Sequence, residues 1–265
     1  MKKRWLVLGL AAIMSLGCMF ACGKDGDDSG DTGNTGETVV KGEKVTAEQW
    51  AAAMANVDCK NLYWEEYFKD ISDGETEEEW VIEQYAENIF YELENEFGDE
   101  DRNWFVYNNG KIYEYEVIKE GDGVDDDDSR TVDWHVTSKN YTTDHMTKDK
   151  AEIIEYIGCY FSHILYLEDY EYNNVFEERI ENYTFDEEKG VYYRLYNQTR
   201  DNGNIDKERL EFLFKNGKLY SIVDTVEYVR TDGDYDLSVM TLIFGGKDIE
   251  LPNEEGLNAL IAQNG

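Results

Sequence analysis

Two short stretches constrain this chain's fold more than anything else in it. Asn109-Gly110 and Asn216-Gly217 each sit between runs of aromatic and β-branched residues, and each continues as Lys, then Ile or Leu, then Tyr. Asn-Gly fits a type I′ turn because both residues tolerate positive φ, and that turn suits the twist of two paired strands. Residues 104–107 and 111–118 therefore read as one hairpin, and 210–215 and 218–230 as another. In the first, pairing Asn108 with Lys111 sets Val106 opposite Tyr113 and Trp104 opposite Tyr115, an aromatic row on one face. In the second, the same count sets Phe214 opposite Leu219, Phe212 opposite Ser221 and Leu210 opposite Val223. The likeness of the two is shared turn chemistry; no period of about 20–50 residues runs through the chain.

More strands follow from composition: 61–69, ended by Ser72-Asp73-Gly74, then 131–137, 191–198 and 237–244. Residues 76–97 admit two readings. Apolar residues at helical spacing and a Thr76/Glu79 capping box favour a helix. The clusters Trp-Val-Ile and Ile-Phe-Tyr about a turn at 86–88 favour two strands, the preferred reading. A short helix should start at Thr46, with Gln49 at capping-box spacing and Trp50 and Met54 sharing a face. A second, capped by Thr147, should run to about Leu165. From Ile153 to Leu167, 11 of 15 residues are apolar, so it should be buried on more than one side. A further short helix could lie at 168–179.

Charge narrows the function classes. The chain has 25 Lys+Arg against 59 Asp+Glu, a formal −34, which repels nucleic acid and anionic lipid headgroups. Yet 14% of residues are aromatic and only Pro252 is a proline, so this is a folding chain and not a disordered acidic one.

The N-terminus accounts for three of the bases. Lys2, Lys3 and Arg4 precede an apolar stretch at 5–17 that is too short to span a bilayer and right for an export signal. Met19-Phe20-Ala21-Cys22 then gives way abruptly to Gly, Asp, Ser and Thr. This resembles a bacterial lipoprotein precursor in which Cys22, with Cys18 as the alternative, is acylated. Ordinary cleavage after Ala21 is the competing reading. The expected organisation is a lipoprotein signal peptide at 1–21, an acidic flexible tether at 22–43, one domain at 44–252 and a short C-terminal tail at 253–265 that could be helical. Acylation would hold the protein at the extracytoplasmic side of the cell membrane.

With the Cys22 anchor, the acidic tether, the Thr46 helix, the Phe214–Tyr220 hairpin and the ending Asp248-Ile249-Glu250-Leu251-Pro252, the chain resembles the LolA/LppX-like exported lipoproteins and carriers. It also resembles lipoproteins of anaerobic Gram-positive bacteria. The resemblance implies an α+β fold: a strongly curved antiparallel sheet, an open half-barrel, wrapped around the buried apolar helix. It further implies a concave face that holds acyl chains under a helical lid.

Catalytic signals are thin. His135, His145 and His163 have no zinc-ligand spacing, and neither a Gly-x-Ser-x-Gly nor a phosphate loop occurs. The acidic loops miss the calcium pattern. No enzyme, metal or cofactor is expected. Cys59 and Cys159 could form a disulfide in an exported protein or remain buried thiols. The ligand-cavity candidates are Trp104, Val106, Tyr113, Tyr115, Ile157, Phe161, Phe212, Phe214 and Leu219. Two functions are expected to compete. One is a membrane-anchored lipoprotein binding or carrying an apolar ligand. The other is a surface interaction or sensing lipoprotein with a filled core, docking another exported protein or a wall polymer.

Overall fold

The computed structural model describes residues 41–57, 61–96, 99–119, 130–137, 175–246 and 248–265. Cys18, Cys22, Cys59, Cys159, Ile157, Phe161, the apolar helix expected at 147–165 and nearly all of the tether lie outside these residues. What is described is an antiparallel sheet of eleven strands, not closed into a barrel, with two helices.

The first meander is β1 (Leu62–Ser72), β2 (Glu75–Ala86), β3 (Ile89–Glu96), β4 (Asp99–Asn108), β5 (Lys111–Lys119) and β6 (Arg130–Thr137). The second is β7 (Thr184–Asp186), β8 (Val191–Thr199), β9 (Ile205–Lys215), β10 (Lys218–Val229) and β11 (Tyr235–Phe244). Each keeps sequence order, and the first and last strands join them: β1 pairs β11, giving the order β6-β5-β4-β3-β2-β1-β11-β10-β9-β8-β7. Residues 75–96 are two strands, as the β-branched clusters favour.

Three two-residue turns have positive φ at both positions: Asp73-Gly74, Asn109-Gly110 and Asn216-Gly217. The first hairpin pairs as its turn dictates, with Trp104 opposite Tyr115 and Val106 opposite Tyr113. The second departs from the expected count. Phe214 faces Leu219, but a bulge at Tyr220 then sets Leu213 opposite Ser221, Phe212 opposite Ile222 and Leu210 opposite Asp224. One extra residue in one strand exchanges the two faces from there on. Ile222 and Asp224, not Ser221 and Val223, share the face of Phe212.

Helix α1 (Ala47–Ala55) begins with the expected capping box, in which Thr46 and Gln49 exchange backbone and side-chain bonds. The chain reaches it by a tight crossing. Glu43 N–H donates to Phe214 O at 2.9 Å, and a Cβ on Gly190 would lie 2.5 Å from Gly42 O. Gly190 also has φ +72°. Gly190→Ala is therefore expected to cost about 1–3 kcal/mol in a thermal melt.

Residues 253–265, read as a tail, hold helix α2 (Glu254–Asn264), capped by Asn253 and seated on the sheet. Two indoles fasten the chain leading into it: Trp104 Nε1 donates to Glu250 O at 3.1 Å and Trp134 Nε1 to Asn253 O at 2.6 Å. Leu257 is buried against Trp104 and Trp134, with Leu260 and Ile261 beside it. Leu257→Ala should lower stability by about 2–3 kcal/mol in urea unfolding, with tryptophan emission shifting to the red.

Candidate functional site

The cavity candidates fall into two groups on opposite faces of the sheet. Paired residues on neighbouring strands point the same way, so register carries face identity across the sheet. Trp104 stands opposite Tyr91, Tyr91 opposite Gln84, and Gln84 opposite Tyr63. Tyr63 then stands opposite Ile243, Ile243 opposite Ser221, and Ser221 opposite Leu213. Phe212 and Phe214 flank Leu213 and so lie on the other face. Trp104, Val106, Tyr113 and Tyr115 thus do not share a cavity with Phe212, Phe214 and Leu219.

The face with the Trp104 row is the α2 face. Its rings form a ladder, Tyr91 to Trp104 at 5.1 Å, Trp104 to Tyr115 at 5.8 Å and Tyr115 to Trp134 at 5.1 Å, and α2 packs on it. These residues seat a helix.

The opposite, α1 face carries Phe212, Phe214 and Leu219 under Trp50, whose ring lies 5.1 Å from Phe212 and 4.8 Å from Phe214. The apolar surface does not stop there. It continues through Ile222 on β10, Leu242 and Phe244 on β11, and Leu62 and Trp64 on β1. It then passes to Tyr85 on β2, Phe90 on β3, Phe105 on β4 and Ile112 on β5. With Tyr192 on β8 the band crosses nine consecutive strands. Sequence reasoning found the two aromatic rows but not this band, because its members come from strands distant in sequence.

Further along the strands the same face turns acidic. Glu66, Glu79, Glu83, Glu92, Glu94 and Asp101 follow one another across β1 to β4. Burial pushes the Glu92 carboxyl up, and the charges of Glu94 and Glu83 add to that.

Across β8 to β10 the face holds a buried polar group that sequence reasoning missed. Arg194, Leu210 and Asp224 stand in one row, with Glu208 diagonal to Asp224. Arg194 Nη1 donates to Glu178 Oε1 at 3.1 Å, and its guanidinium lies 5.2 Å from the centre of the Tyr183 ring. Glu178 also accepts the Trp50 indole N–H on its backbone carbonyl, at 2.7 Å. Asp224 is fully buried, and neither carboxylate oxygen makes a hydrogen bond of normal geometry. Burial drives its carboxyl well above the usual carboxylate range, and the charge of Glu208 adds to this. Arg194 and the Thr225 N–H pull the other way without offsetting it. The available signal was the inward alternation Ile222, Asp224, Val226, hidden by the bulge.

A groove of about 460 Å³ opens between α1 and the two 3-10 turns, Val175–Glu177 and Ile180–Asn182. Trp50, Met54, Phe176 and Ile180 make its apolar wall, and Glu178 lines it too. Among the described residues no cluster of three or more His, Cys, Asp or Glu could hold a metal, and no helix is long and apolar enough to cross a membrane.

No family model matches the chain, and no curated protein matches it. Among solved structures, a DUF1329 family protein from Desulfovibrio piger aligns at 11% identity with a TM-score of 0.23, over 81% of this chain and 97% of that one. That is weak similarity at the level of the fold.

Proposed function

We propose that this protein is a membrane-anchored extracytoplasmic lipoprotein that binds or carries an apolar, lipid-like ligand on the α1 face of its open sheet. The apolar band across nine strands carries the reading. Eight strand spacings are roughly 38 Å, whereas a nine-residue helix such as α1 is about 13 Å long and packs over β10. The band is far wider than α1 covers. At its far end Phe90, Phe105 and Ile112 are buried, and the described residues packed around them, Tyr85 and Tyr107, belong to the sheet. Curvature into a half-barrel, and the apolar helix with Ile157 and Phe161 lying against this face, complete the proposal. Both follow from the LolA/LppX-like resemblance of the sequence. No catalytic step is part of it, and the acidic surface keeps the anchored domain off an anionic membrane.

The competing reading, a filled-core interaction protein, draws on the packing of both aromatic rows by the chain's own helices. It needs a contiguous exposed apolar patch. The large exposed hydrophobics among the described residues are Phe68, Val136 and Leu195, on β1, β6 and β8, which are not neighbours in the sheet. Ligand carriage is therefore the better supported of the two.

Native mass spectrometry of protein from residue 23 onward decides between them. The expected result is a lipid adduct on purification, or a 1:1 complex after addition of a lysophospholipid. Bare polypeptide before and after addition would overturn the carrier reading. The anchor has its own test: Cys22→Ser should abolish metabolic labelling with a palmitate analogue, while Cys18→Ser should retain it.

A further inference from the structure

We propose that the outer edge of β8 from Leu195 to Thr199 is a self-association site, at which the same edge of a second copy of this chain adds as an antiparallel strand. The edge is free. Strand β8 pairs β9 along its whole length, from Val191 to Thr199, with no shift of register. On its other side β7 covers only Val191, Tyr192 and Tyr193. From Arg194 onward no described strand lies beyond β8. The chain before β7 does not continue along this edge. Arg194 holds the Glu178 side chain at 3.1 Å and the Trp50 indole holds its carbonyl at 2.7 Å, which draws that segment onto the α1 face. Alternate backbone N–H and C=O groups of β8 therefore face outward without a ladder partner among the described residues, a template for a further strand.

The side chains leave this edge unguarded. Natural sheets block a bare edge with lysine, proline, a bulge or a very short strand. Beyond Arg194, which is paired with Glu178, the sequence is Leu-Tyr-Asn-Gln-Thr and offers none of these. Leu195 is 54% exposed, the most exposed large hydrophobic among the described residues, and Asn197, Gln198 and Thr199 are exposed as well.

Charge selects the occupant. The chain carries a formal −34, so two copies repel wherever their carboxylates meet. Among the eleven described strands, β8 alone contains no Asp or Glu. It is the strand along which two copies can lie without opposing acids. The geometry also closes. A two-fold axis through Asn197 sets Leu195 opposite Thr199 of the second copy, Tyr196 opposite Gln198 of the second copy, and Asn197 opposite its own counterpart. Opposed residues then share a face, no like charges meet, and the added strand ends short of β7. The α1 faces of both copies lie on one side of a continuous sheet. This pairing does not rest on the carrier reading above.

Sedimentation velocity on protein from residue 23 onward, which contains every described residue, tests the proposal. A monomer–dimer equilibrium is expected, with Kd above about 1 μM, because so short an edge buries less than the roughly 1,200 Å² that bounds weak interfaces. Raising salt from about 0.1 to 1 M shortens the screening length from about 10 to 3 Å and should tighten the dimer at least about threefold, since net repulsion falls. Asn197→Asp, of the same shape, sets two carboxylates opposite each other and should weaken the dimer at least about fivefold without lowering the melting temperature. Leu195→Lys should weaken it too. Adding Thr199→Glu to that variant should restore the dimer, which should then gain less from salt. Hydrogen exchange at 195–199 should slow only as protein concentration rises. A monomer at every salt and at every concentration up to about 300 μM overturns the proposal. So does a dimer indifferent to Asn197→Asp, or a double variant that stays monomeric. Protection at 195–199 that is independent of concentration assigns the edge to another segment of the same chain and overturns it as well.

Discussion

Trp50→Ala is expected to lower stability by about 3–5 kcal/mol, the range for removing a large aromatic from a core. Trp50 is 2% exposed, and its ring touches Tyr183, Tyr192, Phe212 and Phe214 at centroid distances of 4.8–5.4 Å. Its indole N–H is satisfied by Glu178 O. Helix α1 has only nine residues, too few to persist on intrinsic propensity, and its capping box adds only about 1 kcal/mol. The Trp50 side chain is therefore what fixes α1 and the 3-10 turns to the sheet. For a domain of this size, each kcal/mol moves Tm by about 2–4 °C, so a fall on the order of 10 °C should appear in a thermal melt. Leu195→Ala, at a side chain on a residue 54% exposed, should change stability by less than about 0.5 kcal/mol. A loss below about 1 kcal/mol in Trp50→Ala would show that α1 is held by other contacts.

Local chemistry in the sequence was enough to place most of the strands and the first helix. Asn-Gly turns fixed one hairpin to the residue, Thr46 and Gln49 marked the start of α1, and β-branched clusters chose strands over a helix at 75–96. What stayed illegible depends on contacts between distant segments. The pairing of β1 with β11 brings residues about 170 positions apart side by side, and no local pattern announces it. The face of an aromatic row is likewise not a local property. Whether Trp104 and Phe212 look the same way depends on six intervening pairings and on one bulge. A single extra residue, Tyr220, moved Asp224 inward and Val223 to the α2 face. For the same reason the buried carboxyls could not be picked out of 59 acids, since an inward Asp and an outward one are spelled alike.

The C-terminal helix shows a different limit. Its sequence, Glu-Glu-Gly-Leu-Asn-Ala-Leu-Ile-Ala-Gln-Asn, has a glycine in the first turn and modest amphipathicity, so it reads as a weak helix at best. Its stability comes from the sheet. The indoles of Trp104 and Trp134 hold the entering chain, and the Trp104 row supplies the apolar surface that Leu257 needs. Tertiary packing outweighs propensity here, and it also turns residues that resemble a ligand cavity into a helix seat.

Arg194→Met is expected to cost about 3 kcal/mol at pH 9. It removes the cation of a buried ion pair, for which losses of about 3–5 kcal/mol are usual, and the low end applies because a quarter of the Arg194 side chain meets water. Glu178 loses its guanidinium, the Tyr183 ring loses its stacked cation, and Asp224 loses a positive charge that opposes its burial. The last term gives the effect a pH signature. The folded-state pKa of Asp224 is raised, so its contribution to stability is fully present below the unfolded pKa and is lost as pH rises through the folded one. Arg194 lowers that folded pKa, and removing it raises the pKa further. The variant therefore goes on losing stability over the interval between the two folded values, where the wild type has levelled off. Urea unfolding from pH 5 to pH 9 should show a gap between the proteins that widens with pH. A gap of constant size would assign the loss to packing against Tyr183 and remove the electrostatic account of the cluster. A widening gap would show that Asp224 feels the charge of Arg194 across the Leu210 row.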